Sequence, residues 1–214
     1  MKRLTLFFLA FVLMFMAGCQ PKTTRYQAEF LGLFDTVTTV IGYAESKEEF
    51  TALAQKIQEQ LARYHRLFDI YNDYAGINNL KTINDHAGDV PVQVDQELIA
   101  LLLFAREQYF VTGGAFNIAL GPVLKVWHDY RTSGILDPLA AEVPPRQLLE
   151  EAARHTALEG MIIDEAAATV YLSEAGMRLD VGAVAKGYAV ERVAQDLEAA
   201  GVSSLLLSVG GNIR

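Results

Sequence analysis

The sequence predicts a single α+β domain in which helices pack against mixed or antiparallel sheets. Hydrophobic residues make up 51% of the chain, enough for a sizeable core. A stretch rich in threonine and valine at residues 30–43 predicts a first strand. Apolar residues at helical spacing follow directly, so an amphipathic helix should pack on that sheet. Two short apolar runs at residues 161–164 and 168–172 predict a hairpin.

The N-terminus has the pattern of a secretory leader, with basic residues, a short apolar core and then small residues. Ala17-Gly18-Cys19 looks like a bacterial lipobox, which predicts that Cys19 is lipidated. We therefore expect a signal peptide at residues 1–19, a tether at 20–29 and the folded domain at 30–214. The protein should be lipid-anchored to a cell membrane on the extracytoplasmic face.

Cysteine usage and charge exclude several classes of function. Cys19 is the only cysteine, so the body of the domain can hold neither an internal disulfide nor a thiol nucleophile. The net charge of −8, from 26 acidic and 18 basic side chains, argues against a nucleic-acid-binding surface. The four histidines show no metal-ligand spacing, and we assign none of them to a metal.

The first half of the domain alternates helices with polar loops. Ser46 and Glu49 form a capping-box pattern that starts a helix ending near Phe68. Residues 69–84 are dense in Asn, Asp and Gly, which is turn chemistry, although tyrosine and amide side chains in a loop also suit a flat heterocycle. Residues 90–94 predict an edge strand, and Asp95 caps a buried helix that runs to Phe110.

The second half of the domain contains two turns that are each formed by a pair of glycines. Gly113 and Gly114 end the preceding helix, and a loop at residues 115–117 follows. The remaining predictions, in order, are a helical turn at 123–130, a loop at 131–145, a helix at 145–155, the hairpin, a central strand at 177–181, a helix at 183–200, a strand at 203–209 and a corner at Gly210-Gly211.

Residues 179–192, LDVGAVAKGYAVER, carry the strongest chemical pattern. A short apolar strand delivers Asp180 to a turn at Gly182, and a helix begins there. The first-turn amides, the aspartate and Lys186 could hold an anionic ligand or a metal. A nucleotide-triphosphatase loop does not match, because Tyr188-Ala189 stand where it needs lysine and serine or threonine. A dinucleotide-binding turn does not match either, because no glycine lies two positions after Gly182.

Three stretches resemble the motifs of one family in the family's order. Residues 179–192 resemble the most specific motif of the ApbE family of FAD:protein FMN transferases. Residues 113–127, GGAFNIALGPVLKVW, resemble its G-x-F-[DN]-x-x-x-G-P segment, and residues 206–214, LLSVGGNIR, resemble its G-G-[DN]-[IL] segment. The resemblance covers the chain from about Phe30 onward and implies an ApbE-like, T-fold-related domain.

The resemblance implies a Mg²⁺-dependent transfer of FMN from FAD to a threonine hydroxyl of an acceptor flavoprotein, with release of AMP. It implies that Asp180 and Lys186 touch the FAD and that the carbonyl of Ala183 helps to bind the metal. Asp180 is a possible catalytic base on chemical grounds, and a carboxylate outside this chain is an equal candidate. The implied flavin contacts are Phe34, Tyr71, Ala115, Phe116 and Asn117, where the family often has Asp at the last position.

Other functions remain open at the level of sequence. A lipoprotein that holds flavin without transferring it would look much the same, and so would an FAD pyrophosphatase in which water replaces threonine. A lipoprotein that binds no flavin is a further alternative. The chain is shorter than the family and lacks its D-x-x-x-T motif, whose Asp and Thr supply metal ligands. We therefore expect a fragment that is inactive by itself.

Overall fold

A computed structural model describes residues 22–214, and these form two antiparallel sheets with helices packed against them. The predicted signal peptide and Cys19 lie outside the described residues. Among the described residues, no helix has both the length and the apolar character that a membrane crossing requires. The strands are β1 Thr24–Leu33, β2 Thr36–Ala44, β3 Val92–Gln93, β4 Met161–Asp164, β5 Thr169–Leu172, β6 Leu205–Val209 and β7 Asn212–Ile213. The α-helices are α1 Lys47–Phe68, α2 Leu80–Asp85, α3 Gln96–Val111, α4 Gly121–Leu136, α5 Arg146–Ala152 and α6 Ala185–Ala199.

The larger sheet has the order β1-β2-β6-β7, and every neighbouring pair in it is antiparallel. Helix α1 packs across β1 and β2 and also contacts α6. Its start agrees with the predicted cap, since the Ser46 side chain accepts a hydrogen bond from the Glu49 N–H. Its apolar face is buried at Phe50, Ala54, Ile57, Leu61, Tyr64, Leu67 and Phe68. Each large apolar side chain buried this way contributes about 1.5–3 kcal/mol.

The smaller sheet has the order β3-β5-β4 and contains the predicted hairpin. Val92 of the short edge strand pairs with Val170, and Met161 pairs with Leu172. The confirmed class is therefore α+β, in one domain, with a shared core that runs between the two sheets.

The sequence predicted a single strand at residues 30–43, but the chain forms a hairpin of two strands, β1 and β2, in this region. Phe34 and Asp35 adopt φ angles of 52° and 54°, which reverse the chain between β1 and β2. The prediction of a tether at residues 20–29 is wrong from Thr24 onward, since β1 pairs with β2 along its length. Tyr26, Ala28 and Phe30 face the core while the residues between them are exposed, and this alternation is typical of a strand.

Three further predictions need correction. The loop predicted at 131–145 is helical as far as Leu136. Gly134 lies inside α4, and because it has no side chain, Ala141 approaches the helix closely. Helix α3 is buried on one side only, with Phe110 and Val111 exposed. Residues 80–85, predicted as loop, form α2, which Asn79 caps through a hydrogen bond from the Thr82 N–H.

The prediction of a central strand at residues 177–181 is wrong, because this segment has no regular secondary structure and joins neither sheet. Met177, Leu179 and Val181 are buried, as the apolar alternation requires. Its main chain bonds to a side chain and to a loop carbonyl instead of to a neighbouring strand. This difference decides how the candidate site is built.

Candidate functional site

A cleft of about 220 Å³ opens where the β1–β2 turn, the end of α1, the loop after α1 and the start of α6 meet. We call it the nucleotide cleft, after the ligand that the family resemblance implies. Its walls combine carboxylates, aromatic rings and one lysine. The lining residues are Phe34, Asp35, His65, Phe68, Asp69, Ile70, Tyr71, Asn72, Asp180, Val181, Gly182, Ala185 and Lys186.

Asp180 is held in this cleft mainly through its main chain. Its N–H donates to the carbonyl of Ile118 at 2.8 Å. The side chain of Asn84, which is buried, pairs with both main-chain groups of Leu179: Oδ1 accepts from the N–H at 2.7 Å and Nδ2 donates to the carbonyl at 3.0 Å. Oδ1 of Asp180 accepts from the Gly182 N–H at 2.7 Å. Its second carboxylate oxygen has no protein partner among residues 22–214, so it is available to a ligand.

The start of α6 provides donors and a positive charge. No side chain caps this helix, and the N–H groups of Lys186 and Gly187 make no main-chain hydrogen bond within the described part of the chain. Free amides at a helix N-terminus attract anions, phosphate above all. The Lys186 side chain lines the same cleft. The Gly210-Gly211 corner lies close by, since a Cβ on Gly187 would sit 3.4 Å from Oδ1 of Asn212.

The loop at residues 69–74 is organised by the buried carboxylate of Asp69. Oδ1 accepts from the N–H groups of Tyr71 and Asn72 at 2.7 and 3.2 Å. Oδ2 accepts from Asn72 Nδ2 at 2.9 Å and from the Tyr74 hydroxyl at 2.7 Å. Burial opposes the charge, but these four hydrogen bonds outweigh it and lower the pKa of Asp69. Arg178 closes the loop against the Asp180 segment by donating to the Ile70 carbonyl at 3.0 Å.

Phe34 forms one wall of the nucleotide cleft in a backbone conformation that a phenylalanine rarely adopts. Its N–H donates to Nδ1 of His65 at 3.1 Å, and the two rings meet edge to face at 5.4 Å. His65, on α1, therefore holds the turn in place. Strained residues of this kind cluster at ligand sites.

Tyr71 also lines this cleft and is 52% exposed. Its ring lies 5.0 Å from the ring of His128 on α4, and its hydroxyl lies 3.5 Å from Nδ1 of that histidine. Partial burial first, and then the negative charge of Asp180, raise the pKa of Tyr71. The aromatic face of Tyr71 is therefore presented next to a carboxylate.

A second cleft of about 530 Å³ continues from the first, and we call it the lateral cleft. The two clefts share Tyr71 and Asp180. The lateral cleft lies between α4 and residues 141–144. Its lining residues are Tyr71, Leu124, Trp127, His128, Tyr130, Arg131, Gly134, Ala141, Glu142, Val143, Pro144 and Asp180.

The structure brings four of the predicted site residues together in the nucleotide cleft: Phe34, Tyr71, Asp180 and Lys186. Ala115, Phe116 and Asn117 line neither cleft, so their predicted contacts with flavin stay predictions. Asn117 has a visible local role, since Oδ1 accepts from the Ala119 N–H at 2.8 Å and Nδ2 donates to the Thr156 carbonyl at 3.0 Å. This loop supports Asp180 through the neighbouring carbonyl of Ile118.

The donors near Asp180 suit a hard cation. Asp35 and Asp180 both line the nucleotide cleft, and Ala183, in the turn before α6, has a carbonyl that accepts no main-chain hydrogen bond from residues 22–214. Within that range, no three His, Cys, Asp or Glu side chains come together as a metal cluster. Magnesium commonly takes only one or two carboxylates together with substrate phosphates, so the oxygen donors present fit it.

Three residues that matter to the geometry were not singled out from the sequence: Asp69, Asn84 and His65. Asp69 and Asn84 fall in the stretch rich in Asn and Asp, whose composition already indicated turns. Their separate roles depend on partners elsewhere, such as Leu179, which lies 95 residues from Asn84. An Asx-turn pattern at Asp69-x-Tyr71 was the only local signal.

The fold and the clefts define an α+β protein whose main cleft brings aromatic rings, carboxylates and an uncapped helix N-terminus together. The ApbE family model matches residues 33–214, which is most of the chain. This chain belongs to the ApbE family, and the resemblance inferred from the sequence motifs is confirmed.

Two relatives are named FAD:protein FMN transferase. The protein of Klebsiella pneumoniae strain 342 is 33% identical over 162 residues, which cover 76% of this chain and 48% of that protein. The protein of Treponema pallidum strain Nichols is 37% identical over 175 residues, which cover 80% of this chain and 44% of that protein. The chain thus spans about half the length of the curated relatives it matches.

Solved structures of the family have the same fold. The ApbE protein of Thermotoga maritima has a TM-score of 0.72 at 26% identity, with 89% of this chain and 58% of that chain covered. The flavin transferase ApbE of Vibrio cholerae has a TM-score of 0.73 at 18% identity, with 90% and 59% covered.

Proposed function

We propose that this protein transfers FMN from FAD to a threonine hydroxyl of an acceptor flavoprotein and releases AMP, in a Mg²⁺-dependent reaction. The observation that carries the proposal is the nucleotide cleft, where the Asp180 carboxylate, the uncapped start of α6 and the ring of Tyr71 converge. The names of the relatives support the same activity. Because the chain matches about half of each relative, the activity of the whole protein is inferred from them.

The two phosphates of FAD suit the start of α6. The free amides of Lys186 and Gly187 and the Lys186 ammonium would bind the phosphate oxygens, which leaves the rings of Tyr71 and Phe34 to contact flat parts of the ligand. Phosphoryl transfer depends mainly on such positioning and on neutralised charge. The cleft is therefore organised for the pyrophosphate.

The reaction is a displacement at the phosphorus on the FMN side. The threonine oxygen forms a new bond to that phosphorus, the bond to the bridging oxygen breaks, and AMP leaves with the bridging oxygen. The hydroxyl proton passes to a general base. Asp180 has one free carboxylate oxygen beside the cleft and is a candidate for that role, as is a carboxylate outside the described residues.

A bound Mg²⁺ would supply positive charge that neutralises the pyrophosphate in the transition state. The carbonyl of Ala183 is the group of this chain that would help to hold it, so the second oxygen of Asp180 stays available for the proton. The hydrogen bond from the Gly182 N–H to Oδ1 of Asp180 keeps the carboxylate oriented without using its second oxygen.

The test is to incubate the full-length protein with FAD, Mg²⁺ and a candidate acceptor that carries a threonine in its flavinylation segment, and to weigh the acceptor by mass spectrometry. Covalent FMN on threonine together with AMP supports transfer, and EDTA should abolish it. AMP with free FMN would instead establish an FAD pyrophosphatase. Intact bound FAD without AMP would establish a flavin-binding protein and refute the proposal.

We also propose that the protein is anchored to the cell membrane by a lipid on Cys19, on the extracytoplasmic face. The leader pattern and the lipobox at residues 17–19 support this location. A Cys19→Ser variant should move from the membrane fraction to the soluble fraction and lose incorporation of labelled palmitate. Unchanged fractionation would count against the anchor.

A further inference from the structure

The lateral cleft has walls that suit a polypeptide better than a second ring of the nucleotide. Trp127 and Leu124 on α4 are 45% and 43% exposed, and Val143 opposite them is 74% exposed. The segment at residues 141–144 is neither helix nor strand, and Ala141 has extended backbone angles. Pro144 is buried and fixes the segment to the body of the protein.

The main chain of this segment is available to a partner. Within residues 22–214, the N–H and C=O groups of Ala141, Glu142 and Val143 make no main-chain hydrogen bond. Extended peptides bind such unpaired main chain by adding a strand alongside it, while neighbouring pockets receive alternate side chains. A flat ring would leave these groups unpaired, which favours a peptide as the occupant.

Arg131, Glu142 and Asp180 are the charged residues that line the lateral cleft, and the one cation among them indicates one feature of the peptide. Lys125 on α4 pairs with Asp129, whereas the Arg131 guanidinium donates to Nδ1 of His128 at 3.0 Å and pairs with no carboxylate of the described residues. Arginine always carries its charge and favours carboxylate partners. This contact orients the Arg131 guanidinium at the cleft.

We propose that the lateral cleft is the docking site of the acceptor protein. Its occupant is an extended segment that pairs with residues 141–143, lays an apolar side chain on Trp127 and directs a carboxylate to Arg131. This inference rests on the proposed transferase function. The lateral cleft meets the nucleotide cleft at Asp180, so a threonine of the docked segment would reach the FAD pyrophosphate.

The test uses two capped, fluorescein-labelled nonapeptides of glycine and serine, each with a central threonine and one apolar residue. One carries Asp and the other Lys three positions before the threonine. Binding to the full-length protein loaded with FAD and Mg²⁺ is followed by fluorescence anisotropy, and matched peptides with valine for threonine prevent turnover. FAD affinity is measured separately by flavin fluorescence.

Arg131→Glu should weaken binding of the Asp peptide about tenfold and reverse the preference in favour of the Lys peptide. Trp127→Ala should weaken both peptides. Arg146→Glu is the matched control: Arg146 lies on α5 outside both clefts, and its side chain is 91% exposed. The control should bind both peptides as the wild type does, and all variants should keep FAD affinity within about twofold.

Failure of the docking site and failure of the proposed function are distinguishable. The docking site is refuted if the wild type binds neither peptide, if Arg131→Glu leaves the preference unchanged, or if the two cleft variants weaken FAD instead of peptide. Peptide binding with the expected preference, but without FMN on the threonine peptide, would leave the docking site standing and refute the transferase.

Discussion

Asp180 has a structural contact and a free oxygen on the same carboxylate. Oδ1 accepts from the Gly182 N–H, and the other oxygen makes no hydrogen bond within residues 22–214, while the residue itself lines the nucleotide cleft. An asparagine at this position keeps an acceptor for the Gly182 N–H but removes the negative charge. The role of the charge can therefore be measured without losing the turn.

We expect Asp180→Asn to lower the rate of FMN transfer by about 100-fold or more while the urea midpoint of unfolding stays close to the wild type. The rate is measured with the full-length protein and saturating FAD. Asp89→Asn, at a carboxylate that is 69% exposed, is the control and should be as active as the wild type. Unchanged turnover in Asp180→Asn would remove this carboxylate from the mechanism.

Asp69 stabilises the Tyr71 loop through its charge. Asp69→Asn leaves one acceptor oxygen and places an amide against the Asn72 amide, so we expect the free energy of unfolding to fall by about 1–3 kcal/mol at neutral pH. Urea unfolding measures this difference. Asn72→Ala removes one of the four donors, so it should lower the free energy of unfolding by a smaller amount than Asp69→Asn does.

The same substitution predicts a pH dependence. The folded state lowers the pKa of Asp69 below its ordinary value of 3.8, so its contribution to stability is present above that pH. The contribution is lost as the pH falls through the lowered folded pKa. The stability gap between wild type and Asp69→Asn should therefore shrink on acidification below about pH 4. A constant gap would show that the charge of Asp69 is not what stabilises the loop.

At the scale of elements, the first turn of α4 is packed directly on the segment that carries Asp180. A Cβ on Gly121 would lie 2.3 Å from the carbonyl oxygen of Arg178, so only glycine fits without movement. Helix α4 also carries His128, which contacts Tyr71. One helix therefore positions both sides of the junction between the clefts.

We expect Gly121→Ala to displace the Asp180 segment, to destabilise the fold by about 1–3 kcal/mol and to weaken FAD binding. Gly134→Ala in the same helix is the matched control, because its Cβ would meet the Cβ and Cα of Ala141 at 3.1 and 3.6 Å and no carbonyl group. Thermal unfolding and flavin fluorescence are the measurements. Equal effects of the two substitutions would contradict the close packing at Gly121.

At the scale of the whole molecule, the described residues place the clefts at the junction of separate parts of the chain. The β1–β2 turn, the loop after α1, α4 and the start of α6 all contribute walls. Two tyrosines have raised pKa values that depend on the folded structure, so their titration shows whether the fold is intact. Burial and then the charge of Glu97 raise the pKa of Tyr64 to about 12, and burial and then the hydrogen bond to Asp69 raise the pKa of Tyr74 to about 12.

A raised tyrosine pKa means that the folded state holds the proton more tightly than the unfolded state. Stability from these two groups is complete below the ordinary value of 10.0 and is lost as the pH rises through about 12. The urea midpoint should therefore fall steeply above about pH 10. The Tyr64→Phe, Tyr74→Phe double variant should show a shallower alkaline decline, and an identical decline would refute this account.

The sequence by itself determined the class of fold, the family and much of the local structure. The capping residues Ser46 and Asp95, the hairpin at β4 and β5 and the helix after Gly182 depend on neighbouring residues, whose propensities are visible in a short window. The family resemblance also indicated Phe34, Tyr71, Asp180 and Lys186, which the structure brings to one cleft.

Only the tertiary structure decided how these residues are held. The segment at 177–181 has the alternation of a strand, yet its main chain pairs with Asn84 and Ile118, which are distant in sequence. The stretch of Asn and Asp at 69–84 predicted turns, and the structure makes Asp69 the acceptor that shapes the Tyr71 loop. Propensity acts over a few residues, whereas these contacts join residues up to 95 positions apart, and so only the folded chain specifies them.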